Sequence, residues 1–568
     1  MSVRSHARGA MCLALACVGV LACKHDARAP ERDTTELVTP DVEQAHTRLS
    51  GRVVDHAGQP LRMADVELMV VGSESDPDWH VKADPEGRFA LEGPAEGFAW
   101  LRLTGVDHAD FRVALVLDGE AHALSVALGT YPRPPSFAGL LGVAHFGDED
   151  ARETFEYEPD GQGGYRATLG RDASNAEARV VYHQLANATE VGHTINGTHA
   201  DRFAYDGGGD YWSIVAIDEG PVELRFDPRA LPPAALAPRV EFEAPQSEFA
   251  QVVQALLDVQ TWQAKAWMGA GRLALDHELF ELLRAKLIAS IDAAPSEAVA
   301  RVYAIAWLAI VDPDDADAGE RELATRLLER LPPDEPGWSF DPSALAVLLA
   351  LVPSEQAEPY GARVLADARD PSVAFALWLH RIDRAERSHD AEGARAAVEA
   401  LRSPKFAKLG GRVLARLYDP ARPTAPGKPV PEFSFRSLDG KTEYTPASLR
   451  GRTYVLDFWA TWCAPCIVEM PDLHESHALL RERGGDAVEI LSVSFDDAPA
   501  AVQRFRGDRW PMPWLHAHLP VDQQAGVRER FGLAGIPTMI LVGPEGTIVA
   551  STPTLEADTL VELVELAR

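Results

Sequence analysis

Cysteine is scarce in this chain: there are five in 568 residues, and only Cys463 and Cys466 lie beyond residue 23. No second pair accompanies them, so a tetrahedral zinc site is starved of ligands and no metal is expected. Long apolar runs are also missing. Beyond an N-terminal segment, no stretch approaches the roughly 18 apolar residues of a membrane-spanning helix. Positive charge is in deficit, with 54 Lys and Arg against 86 Asp and Glu and a net charge of −32. That balance argues against nucleic acid as a partner and against adhesion to anionic lipid surfaces. About the substrate it says nothing.

What is present centres on Trp462-Cys463-Ala464-Pro465-Cys466. A lone C-x-x-C can cycle between dithiol and disulfide without further ligands. Ahead of it, Val455-Leu456-Asp457-Phe458-Trp459-Ala460 reads as a buried strand, and Ile467-Val468-Glu469-Met470 begins a helix. A strand feeding a C-x-x-C that opens a helix is an arrangement for thiol–disulfide exchange.

The N-terminus carries Arg4 and Arg8, then an apolar segment from Ala10 to Ala22, too short to span a bilayer and shaped like a signal peptide. It ends in Val20-Leu21-Ala22-Cys23, which resembles the lipobox of bacterial lipoproteins. The resemblance implies removal of residues 1–22, lipidation of Cys23 and attachment to a membrane through that lipid. The alternative is a plain secretory signal cleaved nearby. With Cys23 lipidated, the two motif cysteines would be the only free thiols, an economy suited to an export compartment.

The length calls for several domains. Residues 23–50 are polar, lack aromatics and read as a tether. From 51 to 131, alternating apolar residues and turn signals such as Gly58-Gln59-Pro60 and Asp84-Pro85-Glu86-Gly87 predict a β-sandwich. Gly51-Arg52-Val53-Val54, Gly58-Gln59-Pro60, Ala64 and Gly87-Arg88-Phe89 resemble the carboxypeptidase-regulatory-like domain. That resemblance implies a structural or adhesion module. Residues 132–240 read as a second β-sandwich. Within it, His193–Asp201 and Asp206–Trp212 read as hairpin turns ahead of a calcium loop or an aromatic carbohydrate platform. From 245 to 418 the apolar period becomes helical, as in Leu279, Phe280, Leu282, Leu283 and Leu287, and Pro332-Pro333 and Pro353 cut it into short, repeat-like helices. A Pro-rich hinge, Asp419–Gly427, precedes the last domain.

Residues 428–568 are similar to the thioredoxin superfamily, and within it to the TlpA/ResA-like thiol–disulfide reductases of bacterial envelopes. The residues that carry this are Pro431-Glu432-Phe433, Leu438-Asp439-Gly440, Phe458 to Cys466, Glu469-Met470-Pro471 and Gly535-Ile536-Pro537-Thr538. The resemblance implies a C-terminal α/β thioredoxin fold with a Cys463–Cys466 redox disulfide. Cys463 would be the attacking nucleophile, favoured as thiolate at a helix N-terminus, and Cys466 the resolving thiol. Asp457 would be a buried acid that takes the resolving proton. Pro537 would be a cis-proline facing the motif, leaving the backbone at Ile536 open to an extended substrate beside an exposed Trp462. Glu469 reads as a helix-cap or surface residue. A peroxiredoxin is excluded, because its Pro and Thr positions before the cysteine hold Leu456 and Ala460.

The expectation is therefore a membrane-tethered envelope enzyme that reduces protein disulfides without a cofactor and draws electrons from a membrane donor. Ala464-Pro465 resembles the reductants that serve cytochrome c biogenesis. The lysine after Cys23 lacks the aspartate associated with inner-membrane retention and leans toward the outer membrane. Alternatives are an envelope scaffold lipoprotein with an accessory redox-sensing domain, or a disulfide oxidase or isomerase.

Overall fold

The computed structural model describes residues 46–568, apart from 62–63, 74–78, 133–136, 138–139, 146–151, 170–176, 185–193, 196–201, 206–210, 217–220, 269–276, 314, 389, 485–487, 509, 553–559, 561–563 and 565–568. The signal segment, Cys23 and most of the tether lie outside these residues, as does most of the hairpin-turn stretch between His193 and Asp210. The chain divides into two compact units at Ala306–Trp307.

In the first unit, strands β1 (Thr47–Val54), β2 (Asp65–Val70), β3 (His80–Lys82), β4 (Arg88–Gly93), β5 (Gly97–Thr104), β6 (Phe111–Leu117) and β7 (Ala121–Ala127) build two facing sheets. Strand β4 shows the pattern that drives them: Phe89 and Leu91 point into the core while Arg88, Ala90 and Glu92 face out. Gly51 is required where β1 and β7 run side by side, since a Cβ there would meet the Leu124 carbonyl oxygen at 1.9 Å. A second β module follows, formed by β8 (Leu140–His145), β9 (Arg152–Glu156), β10 (Glu158–Pro159), β11 (Tyr165–Leu169), β12 (Glu177–Gln184), β13 (Thr194–Ile195), β14 (Arg202–Tyr205), β15 (Tyr211–Ala216) and β16 (Val222–Phe226). It has a three-stranded and a six-stranded antiparallel sheet around Leu140, Leu169, Leu224 and Phe226.

Strand β17 (Arg239–Phe242) does not continue the second module. It pairs antiparallel with β7, in the order β17-β7-β1-β4, and Val240 and Phe242 pack on the first core. The sequence boundary at 240 thus falls inside a returning strand, which burial of those two side chains draws back. Helices α1 (Glu248–Met268), α2 (His277–Ala293) and α3 (Glu297–Leu308) come next, and Phe249 and Val253 of α1 seal the same core.

In the second unit, helices α4 (Ala318–Arg330), α5 (Ser343–Leu351), α6 (Ser354–Asp367), α7 (Pro371–Arg387), α8 (Ala391–Leu401) and α9 (Gly411–Leu417) precede the C-terminal domain. Asp317 and Glu320 close a reciprocal capping box at the start of α4. The C-terminal domain holds β18 (Phe435–Ser437), β19 (Glu443–Tyr444), α10 (Pro446–Leu449), β20 (Thr453–Trp459), α11 (Ala464–Val468), α12 (Met470–Gly484), β21 (Val488–Ser494), α13 (Pro499–Asp508), β22 (Leu515–His518), α14 (Val521–Phe531), β23 (Thr538–Val542) and β24 (Ile548–Thr552). Its sheet order is β19-β18-β22-β21-β20-β23-β24. Strands β20, β21 and β22 are mutually parallel and β23 is antiparallel to β20, a thioredoxin-like arrangement. Every residue of β20, β21 and β23 is buried, as expected of central strands with both faces covered.

Where the two β modules meet, Asp65 is buried, and its Oδ2 accepts the Tyr211 hydroxyl proton at 3.0 Å. Its Oδ1 lies 2.8 Å from His80 Nε2, and its backbone N–H donates to the Tyr211 oxygen at 3.1 Å. The hydrogen bond to Asp65 raises the pKa of His80 above its ordinary value. Because the folded value is the higher one, the ion pair stabilises fully below the unfolded histidine pKa and is lost as pH rises through the folded value. Replacing His80 by Gln is expected to lower the melting temperature more at about pH 5.5 than at about pH 8.5; an equal loss at both would rule out the charged pair.

Candidate active site

Local sequence explains how the two cysteines are presented. Strand β20 ends at Trp459, and Thr461 is fastened by Asp496, which follows β21. The Thr461 hydroxyl donates to Asp496 Oδ1 at 2.6 Å and its N–H to Oδ2 at 3.1 Å. Asp496 is itself held by the Ser494 hydroxyl at 2.7 Å. Cys463 then occupies the N-cap of α11, with extended φ and ψ, and Pro465 sits in the first turn, where no backbone donor is required. The Cys466 N–H points at Cys463 Sγ, 3.3 Å away. An N–H aimed at that sulfur stabilises it as a thiolate. The pair forms a disulfide with Cα atoms 5.3 Å apart.

Helix α11 gives way to α12 at Glu469, two residues before Pro471, which lacks an N–H and crowds the carbonyl of the preceding turn. Across from the motif, the Ile536–Pro537 bond is cis. The Ile536 carbonyl oxygen lies 3.7 Å from Cys463 Sγ. Thr538 Oγ1 donates to the Gly535 carbonyl at 2.9 Å and braces that loop. Trp462 is 63 % exposed beside Cys463, whereas Trp459 is only 1 % exposed. Cys463, Cys466, Trp462, Ile536 and Pro537 are thus brought to one place.

Asp457 lies in the interior of β20, 2 % exposed. Burial pushes its pKa up to about 6, opposed by the hydrogen bond that Ser492 donates at 2.6 Å. The Ser492 oxygen in turn accepts the Trp514 indole N–H at 2.9 Å. Glu469 is a helix C-cap, but it is buried rather than on the surface, and neither carboxyl oxygen has a hydrogen-bond partner. Burial, then the neighbouring charges of Asp457 and Asp472, raise its pKa to about 9. Sequence reading placed Glu469 at a helix cap or on the surface and passed over Ser492, Trp514 and Asp496. The alternating serines of the otherwise apolar Ile490-Leu491-Ser492-Val493-Ser494 were the available signal, since a buried strand rarely hosts hydroxyls without partners. Among the described residues, no group of three or more His, Cys, Asp or Glu side chains could hold a metal ion.

A family model described as Redoxin matches residues 425–558. The thiol-disulfide oxidoreductase ResA of Geobacillus thermodenitrificans is 30 % identical over 154 residues, 27 % of this chain and 84 % of that protein. The ResA of Bacillus anthracis is 31 % identical over 126 residues, 22 % of this chain and 66 % of that protein. Among solved structures, the thioredoxin domain of a thiol-disulfide oxidoreductase from Bacteroides vulgatus is 25 % identical with a TM-score of 0.22, covering 25 % of this chain and 99 % of that one.

The buried Glu469 generates a stability prediction. Its folded pKa is raised, so between about 4.5 and about 9 the native state holds a proton that the unfolded chain releases, and stability falls as pH rises across that window. Glu469→Gln removes this penalty. It is expected to stabilise the protein by up to about 3 kcal/mol at pH 7, shrinking toward nothing near pH 4.5, as read by denaturant unfolding. A destabilised variant at pH 7 would show that the carboxyl is ionised and partnered.

Proposed function

Because the chain belongs, through its C-terminal domain, to the ResA-like thiol–disulfide oxidoreductases, we propose that it reduces disulfides of exported proteins by dithiol exchange through Cys463 and Cys466. The observation that carries this exchange is the unequal placing of the two sulfurs. Cys463 caps a helix beside an exposed tryptophan and the Ile536 carbonyl, and Cys466 lies one turn further in.

In the reduced enzyme, the Cys463 thiolate attacks one sulfur of the substrate disulfide and expels the other as a thiolate. This forms a mixed disulfide whose backbone can lie along Ile536. Cys466 then loses its proton and attacks Cys463 Sγ, closing the Cys463–Cys466 disulfide and releasing the second substrate sulfur as a thiolate. Two electrons pass to the substrate. The buried carboxyls divide the proton work. Asp457, with a pKa of about 6, is ionised near neutrality and accepts the Cys466 proton, while Glu469, at about 9, keeps its own and can give it to a departing thiolate. The oxidised enzyme is reset by a membrane dithiol donor. Lipid on Cys23, at the envelope face of a membrane, would hold the enzyme within reach of that donor. The β modules and helices between lipid and catalytic domain then serve to recognise targets.

Cys463→Ser is expected to abolish reduction of insulin disulfides, whereas Cys466→Ser accumulates a covalent mixed disulfide on Cys463, visible by non-reducing electrophoresis. The reduction potential of the couple is expected near about −270 mV, in the range of reducing thioredoxins. A value above roughly −150 mV would make the protein a disulfide donor and overturn the proposed direction.

A further inference from the structure

The hydrogen bonds to ionised Asp457 run in one direction. An indole N–H can donate but never accept, so at the 2.9 Å contact between Trp514 Nε1 and Ser492 Oγ the serine oxygen is the acceptor. The single Ser492 proton is therefore left for its other contact, Asp457 Oδ2 at 2.6 Å, the length of a charge-assisted O–H···O bond. While Asp457 is ionised, donation runs from Trp514 through Ser492 to Asp457.

The fold enforces this arrangement. Asp457 and Ser492 are register partners on the adjacent parallel strands β20 and β21. Trp514 stands just before β22, the next strand of the sheet. Its indole is flanked by His474 at 4.8 Å, His477 at 5.3 Å and His516 at 6.1 Å between ring centroids, which fixes the direction of its N–H. Burial lowers the pKa of all three imidazoles, so the indole is packed among neutral rings. From β23, the register partner of Asp457 is the uncharged Met539. From the junction of α11 and α12 the neighbouring titratable group is Glu469, and α11 contributes Cys466 once the disulfide is reduced.

We propose that Ser492 and Trp514 are positioning residues that keep Asp457 as the ionised, proton-accepting member of the buried carboxyl pair. While Asp457 is ionised, its Oδ2 accepts the Ser492 hydrogen. Glu469 has no such donor on either oxygen. Two neighbouring buried carboxyls do not both ionise readily, and the donor chain favours Asp457 as the one that does. Without it, the gap between Asp457 and Glu469 would narrow. The inference rests on the proton-transfer reading above, but its test does not require turnover.

The test is an infrared titration of the carboxyl C=O stretch in the oxidised full chain without substrate, the Asp457 band being assigned by its loss in Asp457→Asn. The wild-type midpoint is expected near pH 6. Ser492→Ala should raise it by about one to two pH units, the effect of losing one charge-assisted hydrogen bond. Ser492→Thr, which keeps a hydroxyl, should restore the wild-type midpoint. Trp514→Phe, which keeps the ring but loses the N–H, should give an intermediate upward shift. In the reduced chain, the acid limb of the rate of mixed-disulfide resolution should move with the midpoint. A folded Ser492→Ala protein, judged by near-ultraviolet circular dichroism, whose midpoint does not move would overturn the proposal. Should that variant fail to fold, Trp514→Phe decides: an unmoved midpoint there overturns the proposal equally. If the chain proves not to reduce disulfides, the proposed direction fails while the oxidised-state titration still reports on the donor chain.

Discussion

A carboxylate in the middle of a strand buried at all seven positions is the constraint around which the catalytic domain is built. Asp457 belongs to β20, whose C-terminal end leads directly into the redox motif. Ionising it there costs solvation that neither face of the sheet returns. Among the described residues no cation answers that cost; the shift of its pKa is set by burial and one neutral hydroxyl. The carboxyl is thereby held near the point where it can gain or lose a proton at physiological pH, which a tight ion pair would prevent.

The same constraint explains which parts of the site can be read from sequence. Strand, C-x-x-C and helix start are contiguous from Val455 to Met470, so a short apolar run, two cysteines and a proline in the first turn reveal them together. The facing Ile536–Pro537 bond is more than 70 residues away, and nothing local marks it; only resemblance to a family points to it. Asp496, Ser492 and Trp514 are harder still. Each acts across strand neighbours, and Ser492 meets Asp457 only because β20 and β21 are parallel and in one register. Glu469 is a different failure. Its place after a short helix suggests a solvated cap, whereas the change of direction near Pro471 turns its carboxyl into the interior.

The N-terminal unit shows a comparable limit. Turn chemistry and alternating apolar residues announce β structure from residue 51 onward, because those signals are local. The return of β17 to β7 is not local. Arg239–Phe242 lies more than 100 residues beyond the sheet it completes, and its short alternation of Val240 and Phe242 would fit either module. In the fold those two side chains pack on the first core, together with Phe249 of the helix that follows. The Asp65–Tyr211 contact then ties the two β modules through one buried carboxylate.

Asp65 and Asp457 make an instructive contrast. Both are 2 % exposed, and both accept a hydrogen bond from a neutral hydroxyl. Asp65 also meets an imidazole at 2.8 Å, so its charge is matched and its position serves structure. Asp457 instead meets a second carboxyl, Glu469, whose own pKa its charge helps to raise. A buried acid paired with a base is a fastener, because moving its proton would break the joint. Two buried acids that feel each other's charge titrate as a coupled pair instead, and neither is locked to a base. The hydrogen bond from Ser492, backed by Trp514, favours the charge on Asp457 before any thiol is present. The chemistry of the two cysteines is thereby coupled to how a tryptophan packs two strands away.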